Sequence, residues 1–160
     1  MKKVIITVSK NFQKSHINAG KPTDFIMSIT NNSKIHTIRG NYKYWSKKFE
    51  AINQGLADLR IRTWSDKAYQ SPQKEWFRFD RSDGIGLQQL IIKREQNTLQ
   101  YYVVHGDIHI IVPIEILAEN DGLSLEDFQD WFKGYDENSG PLAIIHFTEF
   151  RYQSPISYKP

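Results

Sequence analysis

Five short runs of strand-forming residues in the middle of the chain set the strongest limit on how it folds. They are rich in Val, Ile, Tyr, Phe and Trp, and several of them alternate apolar with polar residues. Only brief turn-forming segments separate them, which is typical of antiparallel strands joined by hairpins. The runs cover residues 57–65, 74–80, 86–95, 98–104 and 107–112. The sequence therefore predicts a small barrel or a strongly curved sheet at the centre of the fold.

Helical patterns lie on both sides of these strands. Residues 42–55 carry Trp45, Phe49 and Ile52 at helical spacing, and Gly55 ends the pattern. Three shorter helices are also predicted. One covers 24–31 and is capped by Thr23, one covers 113–120 with Pro113 at its first position, and one begins in the stretch "SLEDFQDWF" at residue 124. In the last of these, Ser124 and Asp127 resemble a capping box, and the apolar positions predicted to face inward are Leu125, Phe128 and Phe132.

Strands over 2–8 and 141–150 complete the predicted order. The resulting fold class is α+β: a mostly antiparallel β-barrel with short flanking helices. A chain of 160 residues that is 39% hydrophobic and 13% aromatic is long and apolar enough to bury one core. No repeat or linker divides it, so a single domain over 1–160 is expected.

The composition also excludes several classes of chemistry. There is no cysteine, which rules out a thiol nucleophile, a disulfide framework and a thiolate zinc site. The sequence has no Gly-x-Ser-x-Gly elbow and no phosphate-binding glycine loop. The apolar run after Lys2 and Lys3 ends at Ser9 and is too short for a secretory signal, and no run is long enough to cross a bilayer. A cytoplasmic protein with no membrane contact is expected.

Histidines give a weak indication of metal binding. On a straight strand, His105, Asp107 and His109 would share one face, and two imidazoles with a carboxylate can bind a divalent ion. However, Gly106 and Asp107 are typical of a turn, which would destroy that alignment. No metal and no other cofactor is therefore predicted.

Cations interleaved with aromatic residues indicate an anionic or nucleic-acid partner more directly. Cations neutralise phosphates, and aromatic faces stack on unpaired bases. The net charge of +3 is a mild bias in the same direction, although a solvated lysine face explains it equally well. On the strand over 57–65, Arg60 and Arg62 alternate with apolar residues and so share a face that we expect to point into the barrel mouth. The candidate binding residues are Arg39, Tyr42, Lys43, Arg60, Arg62 and Trp64.

The stretch "SKIHTIR", which carries Lys34, Thr37 and Arg39, resembles the Lys-x-x-Thr-hydrophobic-Arg motif of the ASCH domain family of the PUA-like superfamily. A second stretch is similar to the family's acidic-Gly-hydrophobic turn, which precedes a capped helix and a last strand. Here that turn is Asp121-Gly122-Leu123. The order of these features agrees with the family over residues 24–150. The chain also resembles small proteins of bacterial mobile elements and phages.

The resemblance implies a PUA-like barrel that binds RNA, a nucleoside or a nucleotide in a basic cleft between the Lys34–Arg39 loop and the Asp121 turn. It also implies an alternative, because one bacterial branch resembles an amidohydrolase that deacylates N4-acylated cytidine. In that branch the motif Lys and Thr and a downstream Glu act on the substrate, which corresponds here to Lys34, Thr37 and Asp121. Asp121 is one methylene shorter than Glu, and Glu119 lies two residues too early. A purely structural Lys34–Asp121 ion pair is the remaining interpretation, so enzyme and binding module both stay open.

Overall fold

The computed structural model describes residues 1–154 and shows an α+β fold of eight strands and four short α-helices. The elements follow one another as β1 (Lys2–Thr7), α1 (Phe25–Thr30), β2 (His36–Arg39), α2 (Tyr42–Asn53), β3 (Ala57–Trp64), β4 (Gln73–Phe79), β5 (Gly86–Glu95), β6 (Thr98–His105), β7 (Ile108–Ile111), α3 (Ile114–Asn120), α4 (Leu125–Trp131) and β8 (Leu142–His146). The predicted positions of these elements are confirmed to within a few residues, except at the last strand.

The strands form two sheets, with orders β1-β3-β4 and β2-β8-β5-β6-β7. Only β1 and β3 pair in parallel, and every other ladder within the described residues is antiparallel. The prediction of a closed barrel is wrong, because no ladder joins the two sheets within residues 1–154. The mostly antiparallel character and the short flanking helices are confirmed.

The break between the sheets lies at residues 80–85, a segment predicted only as a connection between two strands. Asp80 caps a 3-10 turn at Arg81–Asp83, accepting a hydrogen bond from the Ser82 N–H at 2.7 Å. Gly84 follows with a φ of +74°, a backbone conformation that favours glycine. The chain therefore leaves β4 without forming a hairpin and enters the other sheet as β5.

Local turn chemistry explains the parts that were predicted correctly. In the β5–β6 hairpin, Glu95 pairs with Thr98, and the two connecting residues, Gln96 and Asn97, both have positive φ. Gly55, with a φ of +73°, follows the end of α2. That helix buries Trp45 and two further apolar residues against the core, while its lysines face outward.

Four local predictions are wrong. Asp24, not Thr23, immediately precedes α1, while the Thr23 hydroxyl donates to the Ser9 carbonyl at 2.6 Å and accepts from the Phe25 N–H at 3.5 Å. Pro113 precedes α3 instead of occupying its first turn. Leu125 is exposed, although Phe128 is buried and the Ser124 cap is present. The last strand ends at His146 and not at residue 150, because the chain bends over the next three positions.

The apolar core lies between the two sheets and the helices. Both sheets contribute fully buried residues, as do α2 and α3, and examples are Ile6, Ile52, Leu90, Leu117 and Ile145. Among the described residues, no helix has the length and hydrophobicity needed to span a bilayer. The polar residues buried beside this core are the unusual feature of the fold, and they mark the candidate site.

Candidate ligand pocket and the Lys34–Asp121 pair

A cavity of about 440 Å³ brings together four residues of the two sequence motifs. Lys34, Thr37, Arg39 and Asp121 all line it, at the end of β1 and beside α4. Six aromatic side chains also line it, and the rest of the wall is mostly small or polar; the aromatic residues are Phe25, Trp64, Tyr69, Trp131, Phe132 and Tyr135. The cavity is within the size range of small-molecule sites, and it combines flat aromatic faces with convergent polar and charged groups.

Backbone hydrogen bonds hold Lys34 between the ends of two helices. Its N–H donates to the Ser28 carbonyl of α1 at 2.9 Å, and the Ile35 N–H donates to the Asn120 carbonyl of α3 at 2.9 Å. Lys34 and Asp121 themselves form an isolated antiparallel bridge. The Lys34 side chain is only 2% exposed, so its ammonium group has left bulk water. The predicted loop and the predicted turn are thus in direct contact.

Asp121 is buried because of the way α3 ends. The Gly122 N–H donates to the Glu119 carbonyl and the Leu123 N–H to the Ala118 carbonyl, both at 3.0 Å. These two bonds, with Gly122 at a φ of +74°, form a Schellman motif. The motif reverses the chain immediately after Asp121 and leaves its side chain pointing inward with 3% exposure. The Schellman motif therefore explains why Asp121 is followed by a glycine and then by an apolar residue.

The Lys34 ammonium group contacts Asp121 twice. Its Nζ donates to the Asp121 carbonyl oxygen at 2.6 Å and to Oδ1 at 3.1 Å, and it lies 4.4 Å from the centre of the Phe25 ring. Burial lowers the pKa of Lys34, and attraction to the Asp121 carboxylate opposes that shift. A lysine in this environment loses its proton more easily than one in water, which suits it to proton transfer.

Gly122 makes this pair possible, and replacing it provides a test. A Cβ at position 122 would lie 2.8 Å from the Cβ of Lys34, in a backbone conformation that already disfavours side chains. We expect Gly122→Ala to lower the free energy of unfolding by about 2–3 kcal/mol. The matched control is Gly140→Ala, which has a φ of +71° and nothing within 4 Å of its Cβ position. Equal losses in urea melts of the two variants would contradict the close packing of Lys34 on Gly122.

A second layer of buried polar residues supports Asp121, and the sequence did not reveal it. His36 is fully buried, with Nδ1 at 3.5 Å from Asp121 Oδ1 and Nε2 at 2.8 Å from the Tyr152 hydroxyl. The same hydroxyl accepts a hydrogen bond from Asn120 Nδ2 at 2.8 Å. The imidazole thus lies between the Tyr152 hydroxyl and the Asp121 carboxylate, and its Nδ1 has no hydrogen-bond partner within residues 1–154. His36 therefore packs beside Asp121, although it was not among the predicted site residues.

Thr37 and Arg39 project from β2 toward the cavity. Thr37 is 4% exposed, and its hydroxyl has no hydrogen-bond partner among residues 1–154. Arg39 is only partly buried and donates from Nη2 to the Thr7 carbonyl of β1 at 2.9 Å. The bond fixes one side of the guanidinium and leaves its other N–H groups for a ligand.

Arg60 and Arg62 share a face of β3, as predicted, but they do not line the cavity. Arg60 contacts the buried carboxylate of Asp58 from Nε at 2.7 Å, and both arginines contact Glu75 on β4. These ion pairs hold β3 to β4 and occupy the guanidinium groups. The geometry assigns Arg60 and Arg62 a structural role, and their binding of a ligand stays a prediction. Trp64, from the end of the same strand, does line the cavity.

The other candidate residues lie apart from this site. Tyr42 borders a different cavity, and Lys43 is exposed on α2. His105 and His109 are separated by the β6–β7 turn, with Gly106 at a φ of +60°. Within residues 1–154, no group of three His, Asp or Glu side chains is arranged to hold a metal ion.

Comparison with protein-family models, with curated proteins and with solved structures finds no match to this chain.

Proposed function

We propose that the cavity beside the Lys34–Asp121 pair binds a nucleoside or nucleotide, and that the chain is an ASCH-type, PUA-like ligand-binding domain. The observation that carries the proposal is the convergence of Lys34, Thr37, Arg39 and Asp121 on one cavity of about 440 Å³. These residues come from sequence positions almost 90 apart, and they are the same residues that the motif resemblance selects.

The shape and polarity of the cavity suit a flat heterocycle better than a long nucleic-acid strand. Phe25, Trp131 and Tyr135 offer apolar faces for a base, and Arg39 has free N–H groups for a phosphate or a sugar oxygen. A groove for a polyanion would need unpaired cations along its length. Instead, Arg60 and Arg62 are paired with carboxylates outside the cavity.

Hydrolysis of an acylated amino group is the second candidate function, and the buried Lys34–Asp121 pair favours it. Amide hydrolysis requires a base, a nucleophile and a donor for the oxyanion. Asp121 is the base for a water molecule or for the Thr37 hydroxyl. Lys34, desolvated and with a lowered pKa, either donates to the developing oxyanion or assists deprotonation of Thr37.

The reaction balances with water as the only co-substrate. A water oxygen ends on the acyl carbon, and the bond between that carbon and the exocyclic nitrogen breaks. The nitrogen takes a proton to leave as a free amine, and the acyl group leaves as a carboxylate. For N4-acetylcytidine the products are cytidine and acetate. One proton of the water goes to the leaving nitrogen and the other goes from the new carboxylic acid to solvent, so Asp121 and Lys34 end in their starting protonation states.

Binding and turnover are measured separately to test both candidates. Calorimetric titration with N4-acetylcytidine and cytidine 5′-monophosphate is expected to show saturable binding, and chromatography of the incubated mixture follows cytidine release. We expect Lys34→Ala to reduce turnover by at least about 100-fold. Lys14→Ala removes an exposed lysine outside the cavity and serves as the matched control.

The outcomes separate the candidates. Binding without cytidine release would leave a nucleotide-binding domain and reject the hydrolase. Turnover that survives Lys34→Ala would remove this residue from the chemistry. Absence of binding to either compound, in a protein whose fold is verified by circular dichroism, would overturn the proposed function itself.

A further inference from the structure

Tyr69 is the one residue of the cavity wall whose position is unfavourable for the fold. It is 90% exposed, the highest value among the large apolar or aromatic residues that the structure describes. Its φ is +63°, a conformation in which a bulky L-residue is strained. Exposing a large ring contributes nothing to the core, and the strain costs free energy. A residue of this kind is better explained by an interaction absent from the free protein.

The loop that carries Tyr69 is held at its base and by a turn at its tip. The Ser65 N–H donates to the Pro72 carbonyl at 2.9 Å, and Lys10 Nζ donates to the Ser65 carbonyl at 2.8 Å. Within the loop, the Ser71 hydroxyl donates to the Lys67 carbonyl at 2.8 Å. These bonds fix where the loop begins and ends, while the Tyr69 ring remains exposed to solvent.

Tyr69 has a partner at the edge of the cavity. The centres of the Tyr69 and Trp64 rings are 5.3 Å apart at an angle of 48°, and both rings line the cavity. Trp64 is the last residue of β3, so the sheet fixes its position, whereas Tyr69 lies on the loop. One anchored ring and one exposed ring at the rim can enclose a flat ligand between them and the remaining aromatic wall.

We propose that Trp64 and Tyr69 form an aromatic clamp that closes on a planar heterocyclic ring bound in the cavity, and that Tyr69 determines affinity for such ligands. The inference rests on the proposed function for the identity of the ring as a nucleobase. The clamp itself requires only a flat, conjugated ligand. Closure buries Tyr69 and offsets the strain of its backbone.

The test compares four variants by fluorescence titration of the folded chain with N4-acetylcytidine, cytidine 5′-monophosphate and nicotinamide. Because base stacking on one aromatic residue is worth about 1–3 kcal/mol, Tyr69→Ala is expected to weaken binding by roughly 5- to 150-fold. Tyr69→Phe keeps the ring and is expected to bind within about 2-fold of the native chain. The matched control is Tyr44→Ala, at another exposed tyrosine, which does not line the cavity.

The fourth variant, Tyr69→Gly, separates binding from folding. Glycine adopts a φ of +63° without strain, so the melting temperature of this variant is expected to equal or exceed that of the native chain. Its affinity is expected to fall as in Tyr69→Ala. A melting temperature that drops together with affinity would show that Tyr69 is a structural residue and would overturn the clamp.

The three ligands distinguish failure of the clamp from failure of the proposed function. Native-level nucleoside binding by Tyr69→Ala overturns the clamp and leaves the proposed function intact. Tyr69-dependent binding of nicotinamide alone supports the clamp and overturns the nucleoside assignment. If the native chain binds none of the three, both are overturned.

Discussion

Asp121→Ala is expected to lower the free energy of unfolding by about 3–5 kcal/mol at neutral pH, the usual cost of removing one partner from a buried ion pair. Lys34 is 2% exposed and its Nζ contacts Asp121 Oδ1 at 3.1 Å. Without the carboxylate, the charged ammonium group remains in an apolar environment with the Asp121 backbone carbonyl and the Phe25 ring. Urea unfolding followed by tryptophan fluorescence measures the loss.

The neighbouring carboxylate at Glu119 is the matched control. It is exposed, lies on the same helix and has no ion pair among the described residues, so Glu119→Ala is expected to change stability by less than about 0.5 kcal/mol. Raising the pH should reduce the defect of Asp121→Ala, because burial lowers the pKa of Lys34 and the neutral amine tolerates an apolar site. Similar losses in the two variants, or a defect independent of pH, would contradict an electrostatic role for Asp121.

Replacing both Lys34 and Asp121 shows whether the pair is needed for stability or for ligand binding. The double variant Lys34→Met with Asp121→Leu keeps the volume and removes both charges, and such replacements are often neutral or stabilising. We expect its stability to exceed that of Asp121→Ala, while binding at the cavity is lost. If the pair only holds the fold together, the double variant should bind the ligand as the native chain does.

Local patterns in the sequence were sufficient to predict most of the elements but not their arrangement. The β5–β6 hairpin and α2 depend on neighbouring residues, and both were predicted correctly. Sheet order depends on contacts between distant segments, and no periodicity reports those. β8 pairs with both β2 and β5, which places the last described strand in the interior of the larger sheet. The barrel prediction failed for this reason.

The candidate site was likewise predicted only where a sequence pattern linked its residues, and not where distant contacts decide it. The contact between Lys34 and Asp121 was anticipated because the motif resemblance links them and because opposite charges buried together must pair. The position of His36 beside Asp121 was missed because its hydrogen-bond partner, Tyr152, is far away in sequence. A usable signal was overlooked at Arg60: Asp58 lies two residues earlier on the same strand face, where an ion pair is expected.

Acidification is expected to destabilise the protein through His36 and His146. Both imidazoles are fully buried, and burial lowers the pKa of each below its ordinary value. His146 faces two groups that add to this shift, the His36 ring and the Arg151 guanidinium, and its Nδ1 has no hydrogen-bond partner within residues 1–154. At His36, Asp121 favours the charged form, but the desolvation effect is larger.

Stability falls on acidification because the unfolded chain takes up protons more readily than the folded chain. Below about pH 6.5 the unfolded chain binds protons at both histidines more readily than the folded chain, so this contribution to stability is complete above that pH and is lost as the pH falls toward the lowered folded pKa values. Each histidine contributes a slope of at most about 1.4 kcal/mol per pH unit, so the two together are expected to cost up to about 4 kcal/mol between pH 6.5 and pH 5. Urea unfolding at a series of pH values measures the slope.

One histidine variant isolates the contribution of a single group. His146→Leu removes one titrating imidazole, so the slope of stability against pH below 6.5 is expected to fall by about 1.4 kcal/mol per pH unit. His109→Gln removes an exposed histidine and should leave the slope unchanged. Equal slopes in the native chain and His146→Leu would show that the folded state binds a proton at His146. In that event the ring must find an acceptor for Nδ1, and the buried network of His146, Gln88 and Tyr152 must rearrange.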